Sequence, residues 1–240
     1  MRGKLSRIVP FAVALICLAV AFLTVGCSTS KVRYRFVQAA TTIQNNVDLQ
    51  VDGKTVQSAV GYGQPGSYHS ASSGSRKFEI FNTGTTTNPI VSESVKLGSG
   101  DTTLILQNTD TTATANVLSP YTDDNTAPTT GNAKLRIIHS SLNAGRVDVY
   151  VVPTGQSIAG FNPQISGLTF QQAPAPPNTY LSLSAASYDV IVTQSGTQNI
   201  LNNLITNNYS LASGQIRTFV IIDSSFGGGP FQEIILNDLN

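Results

Sequence analysis

From about residue 31 onward, apolar and polar positions alternate with a period of two in short runs, and no 3.6-residue pattern persists. Val32, Tyr34 and Phe36 alternate with Arg33 and Arg35, and Val47, Leu49 and Val51 alternate with Asp48 and Gln50. Asp52-Gly53 follows, a dipeptide that tolerates the positive φ angles of a type I′ hairpin turn, so 54–60 is expected to return alongside 47–51. Further strands are expected at 76–81, 90–97, 102–107 and 112–118. The second half carries similar runs at 134–140, 146–152, 178–184, 187–194, 199–206, 215–222 and 231–236. Short strands at this spacing, about seven in each half, predict an all-β fold of two β-sandwiches.

The halves are copies of one another. Arg35-Phe-Val-Gln38 leading to Val47-Asp48 corresponds to Arg136-Ile-Ile-His139 leading to Val147-Asp148. Pro65-x-x-Tyr68 matches Pro177-x-x-Tyr180, and 75–85 matches 187–197 in the same register. Several short matches in one order indicate a tandem pair. The segment 123–131, Asp-Asp-Asn-Thr-Ala-Pro-Thr-Thr-Gly, has no apolar periodicity and reads as the linker between repeat one (31–122) and repeat two (132–240). Repeat two holds an insertion between Ile158 and Pro177, whose prolines mark it as loop or sheet edge.

The N-terminus is of another kind. Arg2, Lys4 and Arg7 precede an apolar stretch from Phe11 to Leu23, the layout of a signal peptide over 1–26. Leu23-Thr-Val-Gly-Cys27 resembles a bacterial lipobox, with Thr24 departing from the usual aliphatic residue. Cys17 leaves with the signal, so Cys27 is the expected lipidation site, followed by a tether over 28–30. The expected address is the cell envelope, at the outer membrane because Ser28 rather than Asp follows the Cys, with repeat one nearer the membrane. Losing the three basic residues of the n-region leaves 11 Lys+Arg against 13 Asp+Glu, a net charge of −2. With no basic stripe, nucleic acid is not an expected partner.

At this point the Arg-Ile-Ile-His-Ser-Ser stretch, Val-Asp-Val-Tyr-Val and Ala186-Ser-Tyr-Asp-Val-Ile-Val together resemble the domain of unknown function 4397 family. These are bacterial envelope and secreted modules, often in tandem and often behind a lipobox. The resemblance implies immunoglobulin-like sandwiches and carries no catalytic residues with it. Gln38, standing where repeat two has His139, is the main departure.

Individual residues invite chemistry, and each also has a structural reading. His139 is the most conspicuous, but the other His is His69, in the other repeat, and zinc would lack its usual ligands. No metal and no cofactor are expected. Arg35 with Asp48, and Arg136 with Asp148, lie out of phase with their apolar neighbours and are expected as exposed cross-strand ion pairs. On that reading Arg136→Ala leaves the fold intact. Asp123, Asp124 and Asn125 offer oxygens that calcium would use, but far fewer than its six to eight ligands. Tyr68 and Tyr180 match between repeats and suggest core packing. Phe161 and Phe170, in the insertion, are the candidates for an exposed ligand-binding edge. No nucleophile motif or phosphate-cradling loop is present, and Gly227-Gly-Gly229 reads as the turn before the last strand. The expected function is therefore non-enzymatic, a lipid-anchored protein for binding, adhesion or envelope structure with an envelope protein or glycan as partner. The alternative is a carbohydrate-binding module or an accessory subunit of a carbohydrate-active enzyme.

Overall fold

The computed structural model describes residues 30–109, 115–171 and 180–239. Cys27 and Pro177 lie outside the described residues. Every helix or strand described is a strand.

Repeat one is built from β1 (Lys31–Gln38), β2 (Val47–Val51), β3 (Lys54–Val60), β4 (His69–Ser72), β5 (Gly74–Asn82), β6 (Val91–Leu97), β7 (Asp101–Asn108) and β8 (Asn116–Asp123). Repeat two follows with β9 (Asn132–His139), β10 (Val147–Pro153), β11 (Ile165–Leu168), β12 (Leu181–Ser184), β13 (Ala186–Gln194), β14 (Ile200–Leu211), β15 (Ile216–Ile222) and β16 (Gln232–Leu239). Repeat one forms sheets β4-β1-β7-β8 and β3-β2-β5-β6, and repeat two forms β12-β9-β15-β16 and β11-β10-β13-β14. The connectivity is the same in both, including the parallel pairs β1–β7 and β9–β15.

Each repeat is thus a sandwich of two four-stranded sheets, one strand richer than the sequence pattern suggested. The extra strand of repeat one, β4, is His-Ser-Ala-Ser, too polar to register as an apolar run. In repeat two the extra strand is β11, which lies inside the insertion and stands where β3 stands in repeat one. The final strand of repeat one, expected over 112–118, is described as Asn116–Asp123 and continues past 118, while 112–114 lie outside the described residues; Asp123 thus ends a strand and the connecting segment begins after it. The Asp52-Gly53 turn is as expected: both residues have positive φ, 50° and 76°, between β2 and β3.

The inward-facing residues of each sandwich form its own core. Tyr34, Phe36, Leu49, Phe78, Ile80 and Leu104 lead the first, and Leu135, Ile137, Val149, Val192 and Phe219 the second. A third apolar cluster belongs to both repeats. Val37, Ala39, Ile105 and Tyr121 of repeat one pack with Ile138, Val220, Ile222, Ile234 and Leu236 of repeat two. These residues occupy the outer faces of the β4-β1-β7-β8 and β12-β9-β15-β16 sheets, which therefore cover one another. β1 and β7 are consequently buried on both faces over most of their length, as are β9 and β15. Residues Lys31–Asn240 form one compact unit.

Candidate functional site

The sequence signature assembles at the junction of the sandwiches. Arg136 is fully buried, and its Nη2 donates to Asp123 Oδ1 at 2.5 Å, its Nη1 to the Thr122 carbonyl at 2.9 Å and its Nε to Thr218 Oγ1 at 2.9 Å. Arg35 repeats the arrangement from the other side. Its Nη2 donates to Asp238, its Nη1 to the Asn237 carbonyl at 3.0 Å and its Nε to Thr103 Oγ1 at 2.9 Å. Each carboxylate is held by its own repeat as well: Thr103 and Tyr68 donate to Asp123, and Thr218 and Tyr180 donate to Asp238. The Arg35 guanidinium lies 4.8 Å from the Tyr68 ring centroid, and Arg136 lies 4.8 Å from that of Tyr180. The two halves of this network are related by an approximate two-fold, with each Arg reaching across to the other repeat's Asp.

Burial and charge act together here. Burial works against the Arg136 charge, but Asp123, Tyr180 and Asp238 hold its pKa above the ordinary value. Burial, joined by the neighbouring carboxylates, pushes the Tyr68 and Tyr180 phenols far above theirs, so both remain hydrogen-bond donors. The expected exposed pairs Arg35–Asp48 and Arg136–Asp148 do not form. The alternation does place each Arg on the outer face of its sheet, but that face is covered by the other repeat, so each Arg finds its partner there.

Asp48 and Asp148 do a different job. Asp48 accepts from the Ala59 amide at 2.8 Å, the Thr83 hydroxyl at 3.0 Å and the Gly84 amide at 3.1 Å. Asp148 accepts from the Gly167 amide at 2.6 Å, the Ser195 hydroxyl at 3.0 Å and the Gly196 amide at 2.7 Å. Ala59 and Gly167 both have positive φ, which turns their amides toward the carboxylate at irregularities of the edge strands β3 and β11. Each Asp thereby ties an edge strand to the turn after β5 or β13. The Ala59 amide above all lowers the Asp48 pKa; for Asp148, burial opposes the charge but the Gly196 and Gly167 amides overcome it.

His139 is buried, and its Nε2 donates to the Gly145 carbonyl at 2.7 Å. Gln38 closes the equivalent loop of repeat one, donating to the Ala40 and Ile43 carbonyls and accepting from the Ala40 amide at 2.6 Å. Burial lowers the His139 pKa, which keeps the ring neutral.

The three linker oxygens are dispersed. Asp123 faces Arg136, Asp124 pairs with Lys134 at 2.7 Å, and Asn125 donates to Asp101 at 2.6 Å. Among the described residues, no group of three His, Cys, Asp or Glu side chains is placed to hold a metal ion. Phe161 is 41% exposed and Phe170 is half-buried, and β11 lies between them in the chain. The aromatic side chain that sequence reasoning missed is Phe226, 86% exposed in the β15–β16 loop. It stands next to the glycine-rich turn, and a loop residue has no periodicity to announce it.

The family described as Domain of unknown function (DUF4397) matches residues 32–150. This is a DUF4397-domain protein. The matched region spans repeat one from Val32 onward, all of β9 and the first four residues of β10, so it includes Arg35, Asp123, Arg136 and Asp148. No curated protein matches the chain. Similar solved structures include a streptococcal virulence factor described by its α-glucan binding, at 12% identity, covering 78% of this chain and 91% of that one, with a TM-score of 0.24. A putative cell adhesion protein from Bacteroides fragilis is 9% identical, covering 87% of this chain and 98% of that one, with a TM-score of 0.22. The pneumococcal glycogen-degrading virulence factor SpuA is 13% identical, with a TM-score of 0.25; the match covers 80% of this chain and 21% of that longer protein.

Proposed function

We propose that this DUF4397 protein is a non-catalytic binding module of the bacterial envelope, held at the outer membrane by lipid on Cys27. The observation that carries the reading is the reciprocal Arg35–Asp238 and Arg136–Asp123 network. Arg35, Arg136 and Asp123, which invited chemistry in the sequence, are engaged in joining two sandwiches into one body. A body of this kind suits presentation of its loops to a partner in a fixed geometry, since rigidity lowers the entropy lost on binding. The lipobox-like Leu23-Thr-Val-Gly-Cys27 after an apolar stretch supports the anchor. The test is expression of the full chain in a Gram-negative host with labelled palmitate. Label on the protein, outer-membrane fractionation and loss of both in Cys27→Ala are expected. A Cys27→Ala variant that stays labelled and membrane-bound overturns the anchor.

A further inference from the structure

Phe226 is the most exposed large apolar residue among those described, and the fold gives no reason for it. Its loop is nevertheless well built. Ser224 N donates to the Gly228 carbonyl at 2.8 Å, Gly227 N to the Ser224 carbonyl at 2.9 Å, and the Ser224 hydroxyl to the Gly227 carbonyl at 2.9 Å. At its base, buried Asp223 accepts from the Ser141 hydroxyl at 2.6 Å and the Leu142 amide at 3.0 Å, while Tyr62 of repeat one donates to the Asp223 carbonyl at 2.8 Å. The ring is thus held out into solvent by a loop fastened to both repeats.

An open depression of about 390 Å3 lies in repeat one, lined by Thr42, Ile43, Gln44, Asn45, Asn82 and Asn116, with Ile90. One lining residue reaches the Phe226 loop: Gln44 Nε2 donates to the Ser225 carbonyl at 3.1 Å, one residue from Phe226. The lining has no charged side chain and is rich in primary amides. An amide offers two N–H donors and a two-fold acceptor, which suits adjacent hydroxyls that both donate and accept. Gln44 Nε2 is engaged with the Thr41 and Ser225 carbonyls, which leaves its carbonyl oxygen for a ligand. Asn116 Oδ1 accepts from Thr42 and Asn108, which leaves its amino group. Ile43 and Ile90 supply the apolar part of the lining. The volume is in the range of small-ligand sites, and a few fixed polar groups on an apolar base are their usual make-up.

We infer that the amide-lined depression and Phe226 form one site, shared between the repeats, for a neutral hydroxyl-rich ligand, a glycan. The aromatic face covers the C–H surface of a sugar ring while the amides take its hydroxyls. This deepens the binding-module reading and rests on it. A charged ligand finds no counter-charge in the lining.

The test uses the full chain in detergent against a panel of neutral gluco-, manno- and galacto-configured oligosaccharides, by titration calorimetry. Binding to at least one is expected, with about a tenfold or greater loss of affinity in Phe226→Ala and in Asn82→Ala, equivalent to about 1.4 kcal/mol. Phe226→Ala changes an exposed side chain, so its melting temperature should match the parent. Lys54→Ala, at an exposed position outside the lining, should bind as the parent does. Absence of binding across the panel overturns the proposal, as does binding that survives Phe226→Ala and Asn82→Ala. Binding of a protein partner through Phe226 with no glycan binding overturns it too. None of these results affects palmitate labelling at Cys27, so failure of the ligand class is distinguishable from failure of the anchor.

Discussion

Arg136 of the second repeat donates to Asp123 of the first at 2.5 Å, with both side chains wholly removed from solvent. Arg35 and Asp238 make the same pair in the opposite direction. A buried pair of this kind adds little over well-packed apolar residues, because desolvation of two charges offsets most of their attraction. Breaking one is another matter.

Arg136→Ala should destabilise the protein by about 3–5 kcal/mol, because it leaves the Asp123 carboxylate buried without its cation. Urea denaturation of the variant checks this. A loss below about 1 kcal/mol would match an exposed pair instead.

A double-mutant cycle separates the two pairings of Arg35 directly. Arg35→Met combined with Asp238→Asn should show a coupling of about 1 kcal/mol or more, and Arg35→Met with Asp48→Asn should add within about 0.5 kcal/mol. Equal couplings in the two cycles would contradict the cross-repeat pairing.

The two sandwiches should unfold together. The third apolar cluster belongs to both, so neither can open without exposing it. Coincident transitions by tyrosine fluorescence and far-ultraviolet circular dichroism are expected, with equal calorimetric and van't Hoff enthalpies. Two separated transitions would show that the repeats are independent.

Acid should weaken the fold through Asp48 and Asp148. Their pKa values are lowered in the folded state, so the stability they contribute is fully present above the ordinary carboxylate pKa of 3.8 and is lost as pH falls through the folded values below it. Asp148→Asn should cost about 1–3 kcal/mol at neutral pH and reduce the steepness of stability against pH below 3.8. An unchanged acid profile would remove Asp148 as a contributor.

His139 should be replaceable by Gln, as Gln38 closes the same loop. His139→Gln should cost less than His139→Ala, which opens a cavity and leaves the Gly145 carbonyl without its donor. The folded-state pKa of His139 lies below 6.5, so its contribution is present above that pH and declines as pH falls below it, where the unfolded state takes up the proton. His139→Gln should remove that decline.

Much of the strand order was legible because period-two alternation and the Asp52-Gly53 turn are local signals. The junction was not read from them, yet its trace was present. Leu104-Ile-Leu106, Ile137-Ile138 and Phe219-Val-Ile-Ile222 are continuous apolar runs, and such runs belong to strands buried on both faces. Arg35 and Arg136 share a face with Val37 and Ile138, so the outer face was apolar as well as charged. What no local signal carries is the partner: Asp238 lies 203 positions from Arg35. The amide-lined depression was hidden for the same reason, since its walls come from loops and strand ends far apart in sequence.

The reciprocal exchange of Arg and Asp across the junction is a closed handshake. Each repeat uses the same surface to meet the other, so a pair leaves no copy of that surface open for a third. A longer chain made by adding repeats on this plan would extend by twos, each couple sealed before the next begins. The smallest sensible unit for engineering is therefore the couple rather than the single sandwich.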